Sequence, residues 1–335
     1  MMKWLVGGVL AIVGLAAVVL GGAYFVFKRD DIPYERLAAR YESAASRYVD
    51  LPGGIHMHYR DEGRAGGPTL LLIHGFSASL HTWEGWVREL GGEYRIVSID
   101  LPGHGLTRAP AGYRASIEAF RDAVADFTRA QGITQFALAG SSMGGNVAWE
   151  YALAHPGQVQ ALILVGASGW PPVEIETDGE PLVFRLLRNP LVGPVLRDLD
   201  NTRLIREGLQ ASFYDPAFVD DTMVGRYADL ARAPGHRDIL LQIASGFNAR
   251  NYATPERLAA LGMPVLILHG DTDRLVPPQH GQQFADAIRG STHIVYEQTG
   301  HIPQEEITER SAGDVRTFLQ RALPNAPAPT ALAPP

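Results

Sequence analysis

No cysteine occurs in the 335-residue chain. Disulfide bridges, thiolate nucleophiles and thiolate metal ligands are therefore excluded, while the compartment stays open, because oxidising and reducing environments both tolerate such a sequence. An excess of one charge is lacking too: 29 Lys and Arg stand against 36 Asp and Glu, a formal net charge of -7 that is spread along the chain. So mild a balance argues against a nucleic-acid partner. Nor do the histidines fall into a pairing that suggests a metal, and nothing calls for a cofactor. Charged residues of all kinds make up only 19%, against 46% hydrophobic, so most of the chain can bury a core. The length suits one large α/β domain with an insertion, or two ordinary domains.

What is present begins with a long apolar run. Trp4 to Phe27 carries no charged residue. As a helix, it would span about 36 Å at ~1.5 Å per residue, enough to cross a bilayer with some tilt. Trp4 and Tyr24 near its ends fit the interfacial preference of aromatics. We read residues 1–29 as a single-pass membrane anchor. A cleavable signal peptide ending near Gly21-Gly22-Ala23 is the alternative, although the run is longer than a usual signal core. Lys28, Arg29, Arg36, Arg40 and Arg47 after the run favour a cytoplasmic catalytic domain, whereas a short N-terminal tail kept inside would export it. The sequence does not choose the side, nor the oligomeric state.

Residues 30–48 read as an amphipathic linker helix, spanning about Pro33 to Val49, with Tyr34, Leu37, Tyr41 and Tyr48 on one stripe. Thereafter strands and helices alternate. Strands are expected at Ile55–Arg60, Thr69–Ile73, Arg95–Ile99, Phe136–Ala139, Val159–Val165, Pro264–His269 and Thr292–Tyr296. Helices are expected at Ala115–Ala130, after Gly145, and at Glu305–Arg321. Such alternation specifies a mostly parallel sheet with helices on both faces, an α/β core formed by residues 49–167 and 254–323. Residues 168–253 interrupt the rhythm with apolar residues at helical spacing and no clear strand. An insertion between two parallel strands sits at the carboxyl edge of the sheet, where ligands bind, so it reads as a helical lid. Residues 324–335, rich in Pro and Ala, read as a disordered tail.

The chemistry centres on Gly140-Ser141-Ser142-Met143-Gly144, a G-x-S-x-G pattern between an apolar strand and a helix. A sharp strand-to-helix turn strains the central residue, requires small neighbours, and holds the hydroxyl clear of the backbone. The helix N-terminus beside it favours the negative charge that develops in acyl transfer. Serine needs a base, and the base needs an orienting acid. After the strand near Pro264–His269 come Asp271 and Asp273, and after the last strand comes His301, giving the chain order serine, carboxylate, histidine.

With these residues in place, the chain resembles the α/β-hydrolase superfamily from about Val49 to Leu323. The members meant are serine hydrolases, which carry the elbow, a G-x-x-D-x-h-h-P loop and a late Gly-His step. The resemblance implies Ser142 as nucleophile, His301 as base and Asp273 as the acid, since Asp273 stands three residues after Gly270 and four before Pro277. Asp271 is then a loop cap that takes local backbone N–H groups. It implies an oxyanion hole from the amides of Met143 and of Phe76, in His74-Gly75-Phe76, each such donor typically worth ~3 kcal/mol. His74 supports that loop, His104 is a turn residue, and Asp100 caps the same turn.

The anchor, the His74-to-Ala78 stretch and the lid are most similar to membrane-anchored monoacylglycerol lipases and their bacterial relatives. A serine esterase or lipase acting on small or lipid esters is the expected function. Carbon–carbon bond hydrolysis and aminopeptidase activity are alternatives on the same fold, and a non-catalytic ligand-binding role is the alternative of another class. Trp170, Phe184, Phe213, Tyr214 and Phe218 are candidates for an acyl pocket or for plain lid core. The acidic run Glu174, Glu176, Asp178, Glu180 reads as a solvated face.

Overall fold

Runs such as Thr69–Ile73 and Val159–Val165 leave no polar alternation, which is the pattern of strands buried on both faces. In the computed structural model, which describes residues 22, 24–171, 185–186, 189, 192–245 and 251–323, these runs form the centre of an eight-stranded sheet. The strands are β1 (Ser46–Leu51), β2 (Ile55–Gly63), β3 (Thr69–Ile73), β4 (Arg95–Ile99), β5 (Phe136–Ser141), β6 (Val159–Val165), β7 (Val265–Gly270) and β8 (Thr292–Tyr296). Their spatial order is β1-β2-β4-β3-β5-β6-β7-β8. The pairs β1/β2 and β2/β4 are antiparallel, and the other five are parallel.

The two-residue period of the strands sorts the core into two layers. Leu71, Ile73, Leu138, Leu162 and Leu164 face helices Ile117–Ala130 and Met143–Ala154, meeting Phe120, Phe127 and Val147. Leu70, Leu72, Ala137, Ile163 and Val165 point the other way, toward Trp83, Trp86 and Leu90 and the closing helix residues Val315 and Leu319. Each fully buried aliphatic side chain contributes roughly 1.5–3 kcal/mol of transfer free energy, so burial on both faces fixes the register of the central strands.

Two expectations are corrected. The amphipathic helix ends at Tyr41, covering only Tyr34–Tyr41, and Ser46–Leu51 is strand β1, paired with β2 from Ser46↔Arg60 to Leu51↔Ile55. Pro52-Gly53-Gly54 makes the hairpin, and a hairpin pairs more backbone than a lone helical turn would. Leu37 and Tyr41 are buried with Leu106, Leu230 and Ala233, and Tyr48 joins them from the strand, so this stripe packs inward. The closing helix is broken at Ile307, between Pro303–Glu306 and Thr308–Ala322, where φ -129 and ψ 50 turn the side chain onto the core.

Between β6 and β7, the described residues of the insertion form helices Gly193–Asp198, Thr202–Ser212, Asp221–Ala231 and His236–Ser245. Most of the expected anchor, all of the expected tail, Phe184 and the acidic run from Glu174 to Glu180 lie outside the described residues. Among the described residues, no helix is long and apolar enough to cross a membrane. The chain just beyond the apolar run is docked on the insertion: Lys28 bridges to Leu199, and Arg29 pairs with Asp200 at 3.0 Å.

Candidate active site

Ser142 closes β5 and opens helix Met143–Ala154 with φ 54 and ψ -118, one of three non-glycine residues with positive φ among those described. Such a conformation costs on the order of 1–3 kcal/mol and persists only where the surroundings enforce it. They do so here. A Cβ on Gly140 would collide with the Gly144 carbonyl, and one on Gly144 with the carbonyls of Ile73 and His74. The Ser142 N–H donates to the Val165 carbonyl at 2.9 Å, while its own carbonyl accepts from Gly145, Asn146 and Ser168.

Asp273 follows β7, and His301 follows β8, so both stand at the carboxyl edge that also carries Ser142. Nδ1 of His301 lies 2.7 Å from Oδ2 of Asp273, and both residues are buried. Gly166, one residue beyond the strand end that holds Ser142, fills the space between. A Cβ there would stand 3.2 Å from His301 Nδ1 and 3.4 Å from Asp273 Oδ2. The backbone N–H of His301 donates to the Ser212 carbonyl at 2.7 Å, tying it to the insertion. Burial alone would raise the Asp273 carboxyl pKa. The facing His301 and the hydrogen bonds from His269 and His301 outweigh it and hold the group well below the usual carboxylate range. An ionised Asp273 only accepts, so Nδ1 of His301 carries the proton and Nε2 keeps its lone pair.

Asp271 is exposed, and its carboxylate accepts from the Thr299 N–H at 3.3 Å, across to the loop after β8. The expectation that Asp271 takes the local amides is corrected: Oδ1 of Asp273 accepts those of Leu275 (2.8 Å) and Val276 (2.9 Å). The turn after β7 thus orients the buried carboxylate through its own backbone.

On the other side of Ser142 stands the loop after β3. A Cβ on Gly75 would come within 3.1 Å of Ser142 Cβ, so only glycine lets the Phe76 segment pass this close. His74 is buried and held below its ordinary pKa by that burial. Its Nδ1 donates to the Gly75 carbonyl at 2.7 Å, and Nε2 accepts from Leu101 N–H at 3.0 Å. Asp100 caps its turn by accepting from Leu106 N–H, and also accepts from Leu80 N–H and from Nδ1 of His58 at 2.7 Å. His104 is buried in the same turn.

Two participants were not legible in the sequence. His58 on β2 had no motif around it. His269 sits at the end of β7, with Nε2 3.0 Å from the Val276 carbonyl and 3.1 Å from Asp273 Oδ2. Both neighbours are acceptors, so Nε2 carries a proton and becomes the fourth N–H donor around that carboxylate. His269→Leu is expected to lower kcat about 10-fold with little change in KM, as for loss of a charge-assisted hydrogen bond of ~1.5 kcal/mol. His269→Gln, which can return an N–H, should recover part of it. An unchanged kcat for His269→Leu in steady-state assays would count against this role.

A cavity of about 190 Å³ has Phe76, Ser77, Ser212 and Leu275, neighbours of these groups along the chain or by hydrogen bond, in its lining, though not Ser142, Asp273 or His301 themselves. Its walls are mainly aliphatic side chains of the insertion, including Leu204, Leu209 and Leu240. Of the aromatics weighed for an acyl pocket or for plain lid core, the described ones do not line it. Phe213 is buried and stacked on Phe218, Trp170 packs edge-on against Phe284, and Tyr214 is exposed. Among the described residues, no cluster of three or more His, Asp or Glu is arranged to hold a metal.

Residues 68–307 match the family described as alpha/beta hydrolase fold. The chain belongs to the α/β-hydrolase family. It is a hydrolase of that fold with bacterial relatives. A 2-hydroxy-6-oxononadienedioate/2-hydroxy-6-oxononatrienedioate hydrolase of Paraburkholderia phymatum is 30% identical over 295 residues, covering 83% of this chain and 96% of that protein. Lipase 1 of Psychrobacter immobilis is 27% identical over 292 residues, covering 86% and 87% respectively. Among solved structures, a membrane phospholipase A described as a bacterial virulence factor superposes with a TM-score of 0.71 at 27% identity. It covers 96% of this chain and 99% of its own.

Proposed function

We propose that this α/β-hydrolase is a serine carboxylester hydrolase for esters with an apolar chain, monoacylglycerols and similar lipids included. The observation that carries the reading is an ionised, four-donor Asp273 bonded to His301 at the sheet edge that also carries a strained Ser142, with a largely apolar cavity reaching Phe76, Ser212 and Leu275 beside it. In the proposed cycle, Ser142 Oγ attacks the ester carbonyl carbon as its proton passes to His301 Nε2. The amides of Met143 and Phe76 hold the resulting oxyanion. The C–O bond to the alcohol then breaks, and His301 returns the proton to the departing oxygen. Water, deprotonated by the same imidazole, cleaves the acyl-enzyme and releases the acid. Asp273 stays ionised throughout, orienting the ring and stabilising its protonated form.

The relatives that cleave carbon–carbon bonds support a second reading on the same residues. A dioate substrate of the kind their name states needs a cation for each of its terminal carboxylates. Here the arginines at the cavity, such as Arg29 and Arg237, lie toward its far end and already donate to Asp200 and Asp31. The aliphatic walls therefore favour a lipid-like ester. A panel of p-nitrophenyl esters and monoacylglycerols, run beside a vinylogous diketone, tests this. Ester turnover without diketone cleavage is expected, and the reverse ranking would install the carbon–carbon reading.

The uncharged run Trp4–Phe27 ends in Phe25, Val26 and Phe27, which are 78%, 69% and 54% exposed. We read it as a single-pass anchor that concentrates the site where lipid esters partition. Removing residues 1–23 is expected to release the protein from membranes while preserving hydrolysis of short soluble esters. A cut at Asp30 would also delete Lys28 and Arg29, which dock on the insertion, and should lower that activity. Membrane retention of the shorter truncation in a flotation assay would refute the anchor.

A further inference from the structure

We propose that Gly208 determines how long an acyl chain the site accepts, an assignment that rests on the ester-hydrolase reading above. Gly208 lies in the interior of helix Thr202–Ser212, where glycine weakens a helix relative to alanine. Two ordinary reasons for a glycine are missing. Its φ is not in the left-handed region, and a Cβ built on it would meet nothing within 4 Å. Neither backbone conformation nor close packing requires the side chain to be absent. Its Cα instead faces the cavity, on one stripe with Leu204, Ile205, Leu209 and Ser212. The opposite face of the helix carries the exposed Arg203–Glu207 ion pair.

This helix runs along the cavity as a scale. Ser212 marks the reacting end, because its carbonyl accepts the backbone N–H of His301 at 2.7 Å. At ~1.5 Å per residue, Gly208 lies about 6 Å further along, Ile205 about 10 Å, and Asn201 about 16 Å. Beyond Asn201, the Arg29–Asp200 pair stands at the partly exposed far end. Helix Asp221–Ala231 adds Tyr227, Ala228 and Ala231 to the same lining, so small side chains stand there beside one large one. In this proposal an acyl chain longer than the first helical turn runs past Gly208. A larger side chain at 208 closes the channel there and leaves the ester-binding end untouched.

The test is kcat/KM for p-nitrophenyl acetate, butyrate, octanoate and dodecanoate with wild type, Gly208→Ala, Gly208→Leu and Ala228→Leu. Gly208→Leu should keep acetate and butyrate within about twofold and lose at least about tenfold on octanoate and dodecanoate, the size expected for a blocked apolar subsite. Gly208→Ala should lie between. If Gly208→Leu fails to fold, Ala228→Leu decides from helix Asp221–Ala231, with the same shift expected. A long-to-short ratio equal to wild type, or equal loss on every ester, overturns the role of Gly208 alone. A folded wild type that hydrolyses none of the esters overturns the ester reading and this assignment together.

Discussion

Ser142→Ala is expected to lower kcat for ester hydrolysis by on the order of a millionfold, and His301→Ala by a similar factor, because nucleophile and base act as a unit. The double variant should be little worse than either alone, since removing one member already disables the other. Ser142→Ala touches no core contact, whereas His301→Ala also removes the buried 2.7 Å bond to Asp273. Ser142 leaves its backbone bonds to Val165, Gly145 and Ser168 in place when the hydroxyl goes, so circular dichroism and melting should stay near wild type. A fluorophosphonate probe gives the same answer without a chosen substrate: it should label wild type and fail on Ser142→Ala. Folded wild-type protein that resists the probe would point to a ligand-binding role, and substantial turnover by either variant would remove these residues from the mechanism.

Asp273→Asn should cost kcat about 10⁴-fold, by putting the imidazole proton on the wrong nitrogen. Four N–H donors converge on this carboxylate, from Leu275, Val276, His269 and His301. An asparagine can still accept the two amides through its carbonyl, but it must then turn its NH₂ toward His301 Nδ1. That nitrogen can accept only by giving up its proton, which moves to Nε2, where a lone pair is needed to receive the proton of Ser142. Asp271→Asn is the control. Asp271 is exposed and makes one 3.3 Å contact to Thr299 N–H, which an asparagine oxygen can keep, so activity should stay near wild type. Steady-state kinetics on one soluble ester separate the two, and the opposite ranking would move the acid to Asp271.

The fold was legible because its signals are local. The apolar runs that became β3, β4, β6 and β8 have the bounds that periodicity and punctuation predict; β3, β4 and β6 are buried almost throughout, whereas the edge strand β8 is buried only at Tyr296. The elbow was legible for a similar reason. The small residues at 140 and 144 stand where backbone carbonyls leave no room for a Cβ, a demand that leaves a mark in the sequence. Tyr48 shows the limit of such reading. Its spacing from Tyr41 fits a helical stripe, and it does reach the same apolar cluster, but from a strand, because pairing with His58 on β2 prevailed over helix continuation.

Side chains that meet only after the sheet has assembled left no comparable mark. His269 precedes Asp273 by four residues, a separation that means nothing until the turn after β7 folds the chain back, and His58 reaches Asp100 across an antiparallel pair of strands. The cavity walls behave likewise: the sequence left Phe213 and Trp170 open between pocket and lid core, and packing drew them into ring contacts, with aliphatic side chains, Tyr227 and Gly208 lining the space. Sequence by itself therefore determined the order of the candidate residues along the chain, with Ser142, Asp273 and His301 each at a recognisable turn, because those turns are set by neighbours one to five residues away. Tertiary structure alone decided which groups surround the acid, which face of the linker is buried and what lines the cavity. Apart from the local donors His269, Leu275 and Val276 around Asp273, those contacts join residues tens to hundreds of positions apart, and their energy exists only once the intervening chain has folded.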